Sequence, residues 1–260
     1  MTDATHGGHR LDEQQRFVPP DELIREHSGG ITAEQFVAMG DEIFKSFIDH
    51  FKLEPHHAFL DIGCGCGKVT RPLAGYLNAL GSYNGIDITA RVIEWCRQTY
   101  REYPNFRFHL ADVYSTRYNR RGGRKASEYR FPVADGTQDM VFLSSVFTHM
   151  IPEDVDHYLN EITRVMKPGA VCRATYFLLD AESRANNAAG LTTPKFSFPF
   201  GSDGCLIEVE DIPEAAIAYD EGFIAGLYAK YGLTSRTYHG EWGRSRFIGN
   251  WQDEIVAVKE

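Results

Sequence analysis

Three glycines at alternate positions, Gly63, Gly65 and Gly67, follow the apolar residues Phe59, Leu60 and Ile62 in the stretch FLDIGCGCGKV. Glycine lets a backbone turn tightly against a ligand, and an apolar run entering such a turn reads as a buried strand that feeds a helix beginning near Lys68. The chemistry this permits is nucleotide binding. Spacing then argues against one ligand class. A dinucleotide fingerprint places its third glycine three positions after the second, where this chain has Lys68; here Gly67 comes two positions after. Asp61, at the end of the strand, repels a pyrophosphate and suits a ligand that carries an ammonium group.

Two further strand ends carry acids. The segment YNGIDI reads as a second strand ending in Asp87 and Ile88, and Asp87 lies 24 residues beyond Gly63. That is close to the separation of about 20 at which an acid accepts bonds from ribose hydroxyls. A third strand, Phe106 to Leu110, runs into Ala111, Asp112 and Val113. Polar groups at three successive strand ends converge on one crevice, which is where open parallel sheets bind ligands.

The run DIGCGCG resembles motif I of the class I S-adenosylmethionine (SAM)-dependent methyltransferases. The block VFLSSVFTHMIPEDVDHYLNEITRVMKPGA is similar to the region after motif III of bacterial members, with MKPGA where LKPGG is common. The resemblance implies SAM as cofactor, with S-adenosylhomocysteine (SAH) as product. It implies that Asp112 contacts the adenine amino group, that Val113 donates from its backbone, and that Ser144 borders the cofactor. The fold it implies is α/β and Rossmann-like: a mostly parallel seven-stranded sheet with a C-terminal antiparallel hairpin and helices on both faces.

The elements that must position these residues follow in order. Residues 1–30 are polar, with His6, His9 and His27 and a Gly29-Gly30 break, and read as an arm loose at its start and ordered toward its end. Residues 31–260 form the catalytic domain. Thr32 with Gln35 looks like a capping box, followed by Phe36, Met39, Ile43, Phe44, Phe47, Ile48 and Phe51 at helical spacing. After the glycine turn a helix is expected from Lys68 to about Leu80, with Val69, Leu73, Leu77 and Leu80 inward. Two segments break the rhythm and read as substrate or lid insertions: about 114–131, rich in arginine and tyrosine, and about 179–205, where nothing is periodic enough for a core element.

The methyl donor needs no help in leaving, so the protein must align the acceptor and, for a hydroxyl acceptor, remove a proton. His149 follows the fourth strand, and an imidazole titrates near the working pH; it is the candidate base, against the alternative of a histidine bonded to backbone. Tyr114 and Tyr118, with His239, Glu241 and Trp242, are the candidate acceptor contacts. A divalent metal at Asp180 and Glu182 stays open, because no ligand spacing is strong enough to assert one. The longer pattern is similar to actinobacterial sugar O-methyltransferases, including those of methylmannose oligosaccharides, which implies a sugar or oligosaccharide acceptor. A small lipid, quinone or amine acceptor, or a non-catalytic SAM-binding subunit, remain the alternatives.

Composition bounds the rest. A formal net charge of -9 over 260 residues argues against a nucleic-acid partner. The five cysteines are odd in number and suit a reduced cytoplasm better than a disulfide framework. Met1 to Gln15 lacks the apolar core of a signal peptide, and no run approaches the roughly 20 apolar residues of a membrane span. A homodimer stays open.

Overall fold

The computed structural model describes residues 17–244 and 250–260, so His6 and His9 of the arm lie outside the described residues. The chain divides into two compact units, Met1–Leu110 and Ala111–Glu260.

In the first unit, α1 (Asp21–His27) and α2 (Ala33–Asp49) precede β1 (Ala58–Ile62), α3 (Thr70–Ala74), β2 (Ser82–Asp87), α4 (Ala90–Thr99) and β3 (Phe106–Leu110). The strands β1, β2 and β3 pair in parallel. α2 opens on the expected capping box: Gln35 N donates to Thr32 Oγ1 at 3.2 Å, and Thr32 N to Gln35 Oε1 at 2.9 Å. Its buried stripe is narrower than the spacing predicts. Phe36, Gly40 and Phe47 are buried, whereas Met39 is 41% exposed. Gly40 explains the geometry, since a Cβ there would lie 2.4 Å from the Lys68 carbonyl oxygen. The backbone of α2 therefore sits directly on the backbone of the glycine turn.

The helix expected from Lys68 to about Leu80 is corrected to Thr70–Ala74. Val69, Leu73 and Leu77 are buried as their spacing predicts, but Leu80 is 83% exposed. Pro72 supplies no amide and Gly75 costs conformational entropy in a helix. Beyond them the chain turns away, with Asn78 N donating to Pro55 O at 2.8 Å.

In the second unit the order is β4 (Gln138–Leu143), α5 (Pro152–Val165), β5 (Met166–Tyr176), β6 (Leu178–Leu179), α6 (Ala181–Ala188), β7 (Phe198–Phe200), β8 (Cys205–Ile207), β9 (Ile217–Asp220), α7 (Glu221–Lys230), β10 (Leu233–Tyr238) and β11 (Asp253–Lys259). β4 and β5 are parallel, and β11 runs antiparallel between β5 and β10. The seven principal strands follow the order β10-β11-β5-β4-β1-β2-β3. This is the mostly parallel sheet with antiparallel C-terminal strands expected from the sequence.

The expectation that 179–205 holds no core element is corrected. Asp180 and Ser183 form a capping box at the start of α6, and a separate four-stranded sheet runs β6-β9-β8-β7. Phe177, Leu179, Phe196, Ala216, Ala218 and Trp242 form its hydrophobic core. Segment 114–131 is ordered by backbone anchoring: Arg124 N donates to Asp112 O at 3.1 Å and Tyr114 N to Arg124 O at 2.8 Å. Farther on, Ser127 N donates to Asp154 Oδ1 and Phe131 N to Glu161 Oε2, both at 2.8 Å. Among the described residues no helix is long and apolar enough to cross a membrane.

Because the added methyl would meet a backbone oxygen rather than a yielding side chain, Gly40→Ala is expected to destabilise the protein by about 1–3 kcal/mol. Urea unfolding checks this as a lowered midpoint with an unchanged slope.

Candidate functional site

The glycine turn is built by the strand end it leaves. Gly63 N and Cys64 N both donate to Ile86 O, at 2.8 and 3.1 Å, so the turn is tied to β2 from its first residue. Gly63, Gly65 and Gly67 all have positive φ, at 75°, 52° and 90°, a region in which a side chain is strained. Asp87 fixes the middle of the turn. Its Oδ2 accepts from Gly65 N at 2.9 Å and its Oδ1 from Thr89 N at 2.8 Å. Burial pushes its pKa up against those two amide bonds.

Asp61 is buried at the end of β1. Tyr83 Oη donates to its Oδ2 at 2.7 Å, which leaves the Thr70 hydroxyl, 2.7 Å away, to donate to Tyr83. Burial pushes the Asp61 pKa up to about 7; the Tyr83 bond opposes this, the Asp87 charge adds to it, and Lys68 opposes it. Lys68 itself is pushed down by burial. Cys64 and Cys66 are buried packing groups whose thiols burial pushes up.

The ordered end of the arm lies on this turn. The Ser28 hydroxyl is 3.5 Å from Cys66 Sγ, Arg91 pairs with Glu22 and Glu26 on α1, and Phe17 stacks on Tyr100 with ring centroids 5.1 Å apart. Sequence reading missed Lys68, Tyr83 and Thr70 as members of this site. The signals were a lysine directly after the glycines, and a tyrosine whose register on β2 places it beside β1.

In the second unit, Asp112 Oδ1 accepts from Gly123 N at 2.9 Å. The bonds to Arg124 use the Asp112 carbonyl and the Tyr114 amide, so the Val113 N–H points away from that segment. Ser144 is half-buried, and its neighbour Ser145 has φ 57°, an uncommon state for a non-glycine residue. Ser145 N donates to Thr175 Oγ1 at 2.8 Å and its hydroxyl donates to Gln252 Oε1 at 3.1 Å.

His149 closes a short 3-10 turn, Phe147–His149, after β4. Its Nδ1 is 2.9 Å from Ala215 O and 3.2 Å from Glu214 O. Both partners are acceptors, so Nδ1 carries the proton and Nε2 the lone pair. Burial pushes the His149 pKa down, and the Arg117 charge adds to that. Arg117 Nη1 donates to the same Ala215 O at 2.9 Å and its guanidinium lies 5.2 Å over the Tyr118 ring. The Tyr118 ring meets His149 edge-on at 5.6 Å. Thr116 N donates to Glu214 Oε2 at 2.8 Å. The structure thus brings Tyr118 to His149; Tyr114 stands exposed on the same segment.

The group expected around His239 separates. Trp242 is corrected from an acceptor contact to a core residue: it is 4% exposed, its indole N–H donates to Pro194 O at 3.0 Å, and its ring packs on Phe177 and Phe196. Glu241 is half-buried, with its amide on Asn250 O at 2.8 Å. His239 stands 3.6 Å from both Glu221 and Asp253. Ligand atoms of Asp180, Glu221 and His239 lie within 4.8 Å of one another, while Glu182 is outside that group. The Asp180 carboxylate is already spent on Ser183 N at 2.7 Å and on Arg244 at 2.8 Å. Although burial opposes it, these partners hold its pKa down to about 2. A guanidinium on the carboxylate opposes a cation at that place.

Residues 60–174 match the family model described as a methyltransferase domain. A curated relative, putative methyltransferase 235L of Invertebrate iridescent virus 6, is 33% identical over 69 residues, 26% of this chain and 24% of its own. The chain thus spans about a quarter of the length of that relative. Among solved structures, the PH0226 protein of Pyrococcus horikoshii OT3 has a TM-score of 0.56 at 16% identity, covering 87% of this chain and 92% of its own. A SAM-dependent methyltransferase of Methanosarcina mazei has a TM-score of 0.52 at 20% identity, covering 82% and 96%. Magnesium protoporphyrin IX methyltransferase of Synechocystis PCC 6803 with bound SAH has a TM-score of 0.55 at 15% identity, covering 97% and 95%. At these identities the likeness is one of fold.

The Asp61 pKa of about 7 would give the binding of an ammonium-bearing ligand at this carboxylate a pH signature. An ammonium ligand favours the ionised carboxylate, so binding releases a proton below that value. SAH affinity is expected to weaken by up to about tenfold per unit as pH falls below about 7, and to level off above it. Calorimetry across pH 6 to 8 checks this; Asp61→Asn should flatten the profile.

Proposed function

We propose that this chain transfers the methyl group of SAM to a hydroxyl oxygen of a sugar or oligosaccharide, a mannoside among the candidates, with His149 as general base. The observation that carries the reading is the Nδ1 bond of His149 to the Ala215 carbonyl. It fixes the tautomer in which Nε2 can accept a proton, and burial keeps the ring neutral. Bound SAM supplies an electrophilic methyl on a sulfonium. With SAM bound, His149 Nε2 would take the proton of an acceptor hydroxyl whose oxygen accepts that methyl.

The cofactor roles follow the strand ends. Gly63, Gly65 and Gly67 give the close backbone approach, Asp61 faces the ammonium group, and Asp87 with Ile88 borders the ribose through the lone pairs its amide bonds leave free. Asp112, Val113 and Ser144 are assigned to the adenine side. For the acceptor, Tyr118 and Tyr114 offer aromatic faces that suit sugar rings, and His239 with Glu241 offers polar contacts. The net charge of -9 supports a small acceptor over a nucleic acid. A porphyrin methyltransferase among the structural relatives means that the fold alone does not select the acceptor.

An acceptor panel with radiolabelled SAM tests the reading: label is expected on glycans and absent from apolar phenols. In His149→Ala, turnover is expected to fall at least a hundredfold, the typical loss of a general base, while SAM affinity stays near wild type. Unchanged turnover removes His149 from the mechanism. Stoichiometric SAM binding with no SAH formed on any acceptor favours a non-catalytic subunit.

A further inference from the structure

We infer that Arg117 is a positioning residue for His149, its guanidinium held on the same Ala215 carbonyl that takes the imidazole Nδ1 proton. This rests on the reading of His149 as base and adds to it the residue that keeps the base free of a second proton. Ala215 O receives Arg117 Nη1 and His149 Nδ1, each at 2.9 Å. Two donors use both lone pairs of that oxygen, so guanidinium and imidazole stand side by side. Tyr118 completes the arrangement, with the guanidinium 5.2 Å over its ring and the imidazole edge-on to it at 5.6 Å. The backbone that carries Arg117 is fixed as well. Ser115 Oγ accepts from Arg117 N and Tyr118 N at 3.3 Å each, and Thr116 N donates to Glu214 Oε2 at 2.8 Å. Segment 114–131 is thereby fastened to the 3-10 turn Pro213–Ala215, whose carbonyls hold His149.

A second proton would turn the imidazole into a cation beside a guanidinium, which like charges disfavour. Burial acts in the same direction and is the larger cause, with Arg117 next. The other polar groups on the elements packed against this turn are engaged elsewhere. Tyr219 of β9 donates to Phe147 O and Met150 O, while Tyr176 of β5 bonds Tyr228 and Arg173 of β5 pairs with Glu254. The Glu214 carboxylate is the one group that opposes Arg117, and it is given to Thr116. In a chain of net charge -9, Arg117 has no carboxylate partner among the described residues. Its positive charge is thus left uncancelled next to the imidazole.

The test compares wild type, Arg117→Met and Arg117→Lys in two pH titrations. One follows the His149 imidazole by NMR, assigned as the signal that His149→Ala removes; the other follows kcat/KM for methylation of a methyl mannoside. In Arg117→Met the imidazole is expected to take its second proton at higher pH than in wild type, and in Arg117→Lys, which keeps the charge, at the wild-type pH. The acid limb of kcat/KM moves with it, each pH unit of displacement being a tenfold loss on the acid side. An imidazole that titrates unchanged in Arg117→Met, or that moves as far in Arg117→Lys, overturns the role of Arg117 and leaves the reading of His149 intact. An imidazole that moves while the limb stays in place overturns His149 as base, and this inference with it. Should wild type put no label on the mannoside, the imidazole titration alone decides for or against Arg117.

Discussion

Two carboxylates at the strand ends beside one glycine turn, Asp61 buried and Asp87 half-buried, are the constraint on which the first unit depends. Each is met differently. Asp61 receives a phenol hydroxyl, itself held by Thr70, whereas Asp87 receives two backbone amides. The Asp87 bonds place Gly65, so the acid that the sequence marks as a ribose contact is also what shapes the turn. The packing below is correspondingly tight. A Cβ on Gly85 would stand 3.0 Å from Cys64 Sγ, Phe108 and Tyr83 at once, so a side chain at that point would force its three neighbours to shift.

The strand–turn–strand frame was legible because its signals are local. Apolar runs, alternate glycines and acids at strand ends sit within a few residues of one another, and β1 to β3 fall within a residue or two of their expected bounds. The short α3 was misread because Val69, Leu73 and Leu77 keep a helical spacing and are buried even where the backbone is no longer helical. Burial and helix usually coincide; here Pro72 and Gly75 separate them. The small second sheet was hidden for the opposite reason. Its strands have two to four residues, too few to show a period, and pairing such as Leu178 with Tyr219 is long-range. Trp242 looked like an acceptor contact because tryptophan beside histidine and glutamate suggests a pocket, yet the core that covers it comes from that unforeseen sheet.

Charge also organises the second unit, by a different balance. The Asp253 carboxylate is fully buried, and burial pushes its pKa up while Arg244 opposes. It accepts from Leu178 N at 2.7 Å and Gly240 N at 2.9 Å, and Arg244 bridges it to Asp180. One guanidinium therefore ties the start of β11 to the cap of α6, holding the small sheet to the strand end it grows from. Breaking either partner would strand a buried charge, a costlier event than losing an exposed ion pair.

The first unit, by contrast, keeps charge unsatisfied. The pKa of Asp61 stands above its ordinary value, at about 7, so its ionised form is disfavoured by folding. The sign of the linkage follows: this group takes stability away as pH rises from the ordinary carboxylate range toward about 7, the reverse of a salt-bridged acid. A chain selected only for stability would replace it with an apolar residue. Lys68, destabilised in the same place with the opposite sign, makes the cost harder to explain by packing. Charges that folding disfavours, set at the end of a strand beside glycines of positive φ, mark this place as a candidate site by the cost they carry.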